Sequence, residues 1–250
     1  HWFYMEWIKK AKEKQILYIH FTMDDNPSLS QSVKDRYKSL YSGAFYERFI
    51  EGKWVTAQGL VYPMFSPERH IKKCKGKFNR FYLSCDYGTV NPFSLGLWGE
   101  CDGKWFRLDE YYYSGRDNGI QLTDEEYYRE LEKLADNREI TALIIDPSAA
   151  SFIQTVLRHG KFRVVKANND VLTGINRVCQ ALKDEEIFIY PACTDAIREF
   201  SIYRWDDNIK KDAVKKENDH AMDDIRYFVA TVLGRENQNS AFASVAIERN

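Results

Sequence analysis

FYLSCDYGTVNPFSLGLWGECDGKWFRLDEYYYS, residues Phe81–Ser114, decides the fold. It holds three apolar runs, "FYLSCDYG", "FSLGLWGE" and "KWFRLDEYYYS", with the aromatic content and length of β-strands. Asp102-Gly103 lies between the second and third runs and is a strong signal for a tight hairpin. Strands joined by hairpins run antiparallel. The stretch therefore predicts a three-stranded antiparallel meander.

The pattern changes downstream. Thr123 opens an acidic helical stretch to about Asn137. "ITALIID" (140–146) is a short, wholly apolar strand of the kind buried on both faces. It ends at Asp146-Pro147, after which Ser148 or Ser151 starts a helix to His159. "FRVVKA" reads as a strand, "DVLTGINRVCQALKD" as a helix, "EIFIY" as a strand and "TDAIREFSIY" as a helix. "RWDDNIKKDAVKKEND" is a charged connection or hairpin, and "ENDHAMDDIRYFVATVL" (217–233) is the final helix. Strands that alternate with helices run parallel to the strand they return to. The expected class is α/β, with a mixed sheet: the first three strands antiparallel, the later ones parallel to the first, and helices on both faces. The RNase H-like fold has this layout.

Upstream, residues 2–14 read as a helix and "ILYIHFT" (16–22) as a buried strand. "DDNPS" interrupts the chain, because the residue before proline avoids helix. Ser28 or Ser30 can cap a helix to about Leu40, and a short helix covers 43–51. The expected division is 1–75 as a mostly helical segment, 76–235 as the α/β domain and 236–250 as a tail. The opening "HWFYMEWIKKAKEKQ" reads as the interior of a longer protein.

Composition narrows the function. The 250 residues are 44% hydrophobic and 15% aromatic, enough for a sizeable core, and the formal net charge is −1. Bulk charge therefore excludes a broadly basic nucleic-acid binder, and any such surface is a local patch. The cysteines, Cys74, Cys85, Cys101, Cys179 and Cys193, are odd in number and lack CxxC spacing. That argues against a disulfide framework or structural zinc and fits a reducing compartment. No apolar run approaches the ~20 residues that span a bilayer. No G-x-x-x-x-G-K-[ST] phosphate loop occurs, so no ATP hydrolysis is expected from this chain alone.

Carboxylates carry the chemistry. Asp86 follows an apolar strand, and Asp146 ends another at its carboxyl end, where open sheets place ligands. On adjacent parallel strands the two would be neighbours. In the final helix, successive residues turn by about 100°. Ala221, Ile225, Phe228 and Val232 then form a core stripe, while His220, Asp223, Asp224 and Tyr227 share the opposite, polar side. Acids in a first turn complement the helix dipole by a few tenths to about 1 kcal/mol, and Asp219 suits an N-cap. His220 is not explained that way, because an imidazolium is disfavoured there. The field of the helix should keep it neutral. If Asp223 joins Asp86 and Asp146, the three acids need cations among them, and Mg²⁺ or Mn²⁺ prefer oxygen ligands.

"HFTMDDNPSL", "YERFIEGKWVTAQGLVYPMF", "LSCDYGTVNPFSLGLWG", "LIIDPSAASF", "VVKANNDVLTGI" and "DHAMDDIRYF" occur in this order. Together they resemble the large terminase subunit of tailed bacteriophages, over most of residues 1–235. The resemblance implies a C-terminal RNase H-like nuclease that cuts concatemeric double-stranded DNA with two Mg²⁺ or Mn²⁺ ions. It also implies that residues 1–75 are the tail of an ATPase domain with its linker. Asp86, Asp146 and Asp223 are the implied metal ligands, and His220 matches a histidine in part of the family. The position of Asp224 is a small residue in many relatives, so a second aspartate here could compete as ligand. The implied partners are DNA, a small terminase subunit and a portal protein, in the host cytoplasm during phage assembly and not as a stable part of the virion. Lys210, Lys211, Lys215 and Lys216 are a candidate DNA-binding finger, or a solvated charged loop.

Three rivals remain. "DYGT" matches the Asp-x-Gly-Thr of sugar kinases and actin-like ATPases, but their second loop and glycine pair are missing. The chain could instead be a DNA-gripping or docking module of a packaging motor with weak cutting. Junction resolvases share the carboxylates and form the third alternative.

Overall fold

The protein is described by a computed structural model covering residues 2–41, 43–55, 57–208 and 212–234. The chain divides into two compact units: residues 1–61 with 204–215, and residues 62–203 with 216–250. The expected division at 75/76 thus falls earlier, and the connection after the eighth helix returns to the first unit. Local pairing explains that return. Trp205 bridges Val214, Arg204 bridges Leu60, and Arg48 forms an ion pair with Asp212.

The first unit contains a short π-helical stretch, Tyr4–Ile8, then α1 (Gln31–Leu40) and α2 (Gly43–Phe49). Ser30 caps α1 by accepting from the Val33 amide at 3.4 Å. The expected helix over 2–14 gives way to turns after Ile8, and "ILYIHFT" is not a strand. Leu17 is 83% exposed and Phe21 71%, so this apolar run has no partner strand to bury it among the described residues. Strand propensity without a partner does not make a strand.

The second unit comprises α3 (Pro67–His70), β1 (Phe81–Asp86), β2 (Phe93–Cys101), β3 (Lys104–Tyr113), α4 (Gly115–Asn118) and α5 (Asp124–Ala135). It continues through β4 (Ile140–Ile145), α6 (Ala150–His159), β5 (Val164–Lys166), α7 (Val171–Lys183), β6 (Ile187–Ile189), α8 (Thr194–Ile202) and α9 (His220–Phe228). A π-helical turn, Val229–Leu233, extends α9. The sheet order is β5-β4-β1-β2-β3-β6. β1–β2 and β2–β3 are antiparallel, while β1–β4, β4–β5 and β3–β6 are parallel. This is the mixed sheet expected from the alternation of runs.

Strand alternation assigns the two faces. Leu83, Cys85, Leu143 and Ile145 pack with Tyr127 and Leu131 of α5 and Phe152 and Val156 of α6 in one core. Tyr82 and Ser84 point the other way. There Phe228 of α9 stacks on Trp98 at 4.1 Å and meets Tyr82 edge-on, while Trp98 Nε1 donates to Ser84 Oγ at 2.7 Å. Asp86 has the parity of Tyr82 and Ser84, so the sheet presents it to the α9 side.

The cysteine reading is corrected at one pair. Cys74 and Cys101 form a disulfide across 27 residues, while Cys85, Cys179 and Cys193 are buried thiols outside any disulfide. Only the fold brings that pair together, so no sequence spacing announces it. Among the described residues, no helix is long and apolar enough to cross a membrane.

Candidate active site

β1 pairs β4 with Cys85 opposite Ile145, so Asp86 and Asp146 leave the sheet side by side at the same strand ends. α9 lies over this end. The polar face expected for α9 does not meet solvent: every residue from Ala221 to Phe228 is buried. A helix buried all round must satisfy its polar side chains internally, and each acid here has its own partner.

His220 Nδ1 lies 2.9 Å from Asp86 Oδ2, and its Nε2 lies 3.8 Å from Asp219 Oδ1. Burial alone would lower the His220 pKa, but the hydrogen bond and charge of Asp86 outweigh it and the pKa is raised. A carboxylate at contact distance thus acts on His220 against the field of the helix, which favours the neutral ring. Asp223 is paired with Arg226, three residues on, at 2.9 Å, and Lys216 Nζ is 3.7 Å away. Asp146 accepts from the Ser148 amide at 2.6 Å. Burial raises its pKa, but hydrogen bonds from Ser148, Tyr227 and Asn169 prevail and lower it.

Asp224 goes elsewhere. It is wholly buried and accepts from Arg107 Nη2 at 2.6 Å and from Ser94 Oγ at 3.0 Å. Arg107 also pairs with Glu110 at 3.3 Å. A Cβ on Gly96 would overlap the Arg107 guanidinium, so glycine is what lets this side chain cross β2. Asp224 thus belongs to a buried ion-pair network.

Asp86, Asp219, His220, Asp223 and Lys216 line one cleft of about 960 Å³, walled also by residues 87–92, 114 and 116–118. Asp146, 9% exposed, is not on that wall. Among the described residues, the group of three ligand-type side chains whose donor atoms all lie within 4.8 Å is Cys74, Cys101 and Asp102. Asp86, Asp146 and Asp223 do not close to that distance, because Arg226, His220 and the Ser148 amide hold them individually. Their donor set, hard oxygens with one imidazole, fits Mg²⁺ or Mn²⁺. Of the lysine finger, Lys210 and Lys211 lie outside the described residues, Lys215 belongs to the first unit, and Lys216 reaches the cleft.

Sequence reading missed Arg226, and took Asp219 only as an N-cap and Tyr227 only as part of the polar side of the helix. Asp219 holds the N-cap position without a side-chain capping bond, and its carboxylate lies 3.5 Å from Lys216. Arg226 and Tyr227 follow Asp223 by three and four residues, and that spacing on a helix was the available signal.

The Asp86 carboxyl has a testable cost. Burial pushes its pKa up to about 6, against the His220 hydrogen bond and with help from the Asp223 charge. An unfolded aspartate titrates near ~3.9. The folded protein thus favours protonated Asp86, and this contribution to stability is lost as pH rises through about 6. Asp86→Asn is expected to stabilise the protein in EDTA by ~1–2 kcal/mol above that pH. The gain should fade as pH falls toward 4. Thermal unfolding between about pH 4 and 8 measures it, and a variant no more stable than the parent at the upper end contradicts it.

No protein-family model matches the sequence. The large terminase of the thermophilic bacteriophage D6E, in complex with ADP, is 45% identical with a TM-score of 0.82, over 93% of this chain and 60% of that one. The large terminase subunit of Escherichia phage T5 is 20% identical over 229 residues, 86% of this chain and 51% of its own length. The P22 large terminase nuclease domain is 16% identical with a TM-score of 0.54, over 68% of this chain and 90% of that domain. The sheet and its helices are thus the RNase H-like fold of large-terminase nuclease domains. The chain is similar to bacteriophage terminase large subunits over most of its own length. It spans about half to 60% of the length of the T5 and D6E proteins.

Proposed function

We propose that the second unit is a metal-dependent endonuclease that cuts concatemeric double-stranded DNA during genome packaging. The observation carrying this reading is the convergence of Asp86, His220 and Asp223, from β1 and α9, on one acidic cleft. Asp86, Asp146 and Asp223 would hold two Mg²⁺ or Mn²⁺ ions. Bound there, the metals would supply Lewis-acid activation of water and offset charge at the phosphate. Asp86 fixes His220 through Nδ1, which leaves Nε2 as the nitrogen that can pass a proton to or from water or the leaving oxygen. Lys216 can neutralise a DNA phosphate at the cleft mouth; its side chain is 69% exposed. Residues 1–61 are, on this reading, the end of an ATPase domain with its linker. The lack of a phosphate loop argues that ATP turnover needs sequence outside this chain. The similarity to large terminases supports the same proposal for its partners, DNA, a small terminase subunit and a portal protein, and for a site of action in the host cytoplasm.

Supercoiled plasmid incubated with Mn²⁺, Mg²⁺, Ca²⁺ or EDTA tests this. Nicking and linearisation are expected with Mn²⁺, less with Mg²⁺ and little with Ca²⁺, whose loose coordination misplaces the reacting oxygens. Undiminished cutting in EDTA would sink the reading. His220→Ala is expected to slow cutting by about 10²-fold, within the range for a proton-transfer group, while Mn²⁺ affinity changes by less. Full activity of that variant would reduce His220 to a partner of Asp86.

A further inference from the structure

α9 carries His220 and Asp223 into the cleft, yet its N-terminus lacks the usual local cap. Helices leave their first N–H groups without intrahelical acceptors. The Asp223 amide reaches the Asp219 carbonyl at 2.7 Å, but the Asp219 side chain caps nothing. The acceptor for the next two amides comes from another helix. Glu199 of α8 accepts from the Ala221 amide at 2.8 Å and the Met222 amide at 3.3 Å, both through Oε2. Its Oε1 accepts from the Tyr112 hydroxyl of β3 at 2.7 Å. Glu199 is fully buried. Its charge is met by the positive end of α9 and by Arg198 at 3.5 Å.

α8 is itself held at its start. Glu110 of β3 accepts from the Asp195 amide at 2.7 Å and also reaches the Ala196 amide. Two carboxylates therefore link the elements in series, Glu110 from β3 to α8 and Glu199 from α8 to α9.

We propose that Glu199 is a positioning residue for the active site: it pins the first turn of α9, and so sets where His220 and Asp223 stand relative to Asp86. This rests on the nuclease reading. The burial of Glu199 keeps it from touching DNA, so it acts only through α9. A slide of one residue would turn His220 by about 100° away from Asp86. The Asp224–Arg107 pair anchors the middle of α9 and His220 meets Asp86 by its side chain, but Glu199 is what holds the backbone amides of Ala221 and Met222.

The test compares E199A and E199Q with the parent chain, and with F200L as a control on α8 that lowers packing without touching the cap. Amide exchange at Ala221 and Met222, Mn²⁺ affinity by calorimetry and plasmid cleavage at saturating Mn²⁺ are measured well below each melting temperature. E199A is expected to speed exchange of these two amides at least tenfold, weaken Mn²⁺ binding about tenfold and slow cleavage. Glutamine keeps a carbonyl acceptor, so E199Q should restore protection and affinity to within about threefold. F200L should lower the melting temperature without changing Mn²⁺ affinity. Wild-type Mn²⁺ affinity and rate in E199A, or exchange in E199Q as fast as in E199A, would overturn the proposal. If E199A does not fold, E199Q against F200L decides by the same criteria. If the parent chain neither binds Mn²⁺ nor cuts, the nuclease reading fails, whereas the amide exchange still reports on the cap.

Discussion

Asp223→Asn is expected to reduce Mn²⁺-dependent cleavage to background, a loss of at least about 10³-fold, comparable to removing a main source of transition-state charge stabilisation. Asn keeps the shape of the side chain and an oxygen to accept from Arg226, so the helix has no reason to move. What disappears is the negative charge that would offset the cost of stripping water from a divalent cation. Arg226 makes the point sharper. It already balances Asp223 at 2.9 Å and also reaches the Asn169 carbonyl at 3.1 Å. A metal must therefore compete with a guanidinium, and a neutral amide could not win that competition. Circular dichroism should show an unchanged fold, and cleavage at matched Mn²⁺ supplies the comparison. Activity within tenfold of the parent would remove Asp223 from the ligand set.

The neighbouring aspartate should behave in the opposite way. Asp224→Ala is expected to cost ~3–5 kcal/mol of stability, because it leaves a buried arginine without its main counter-charge. Arg107 and Asp224 are both fully buried, and among the described residues Glu110 at 3.3 Å is the acid left to Arg107. A first-turn acid on a solvated helix face would cost a few tenths to about 1 kcal/mol, so the two accounts of Asp224 are well separated. Urea unfolding measures the difference, and a loss below about 1 kcal/mol would contradict the buried network. Replacing both partners with apolar residues, as in Arg107→Met with Asp224→Leu, should recover much of the loss, since the uncompensated charge rather than the missing pair sets the cost. Asp224 is thus a structural charge, held by Arg107 inside the fold.

How much of this was legible in the sequence depends on the range of the interaction. The meander of β1, β2 and β3 was legible because apolar runs and Asp102-Gly103 are local signals. The parallel strands followed from the alternation of strand and helix. The meeting of Asp86 with α9 was also legible, since strand parity and strand ends follow from the order of elements. Arg107 was not: in "KWFRLDE" it reads as an ordinary solvent-facing residue of an alternating strand. Only the buried acid on α9, 117 residues later, explains it. Glu199 was hidden for the same reason, because its role lies in amides 22 and 23 residues away on another helix. "ILYIHFT" misled in the other direction. Its propensity is that of a strand, but a strand needs a neighbour, and the described residues of its unit supply none.

Crystals of the protein soaked in MnCl₂ and measured at the manganese absorption edge test the central claim most directly. The account predicts an anomalous peak bound by Asp86 together with Asp146 or Asp223, with Arg226 turned away from Asp223. The absence of a peak at these carboxylates, or a peak confined to other acids, would contradict it.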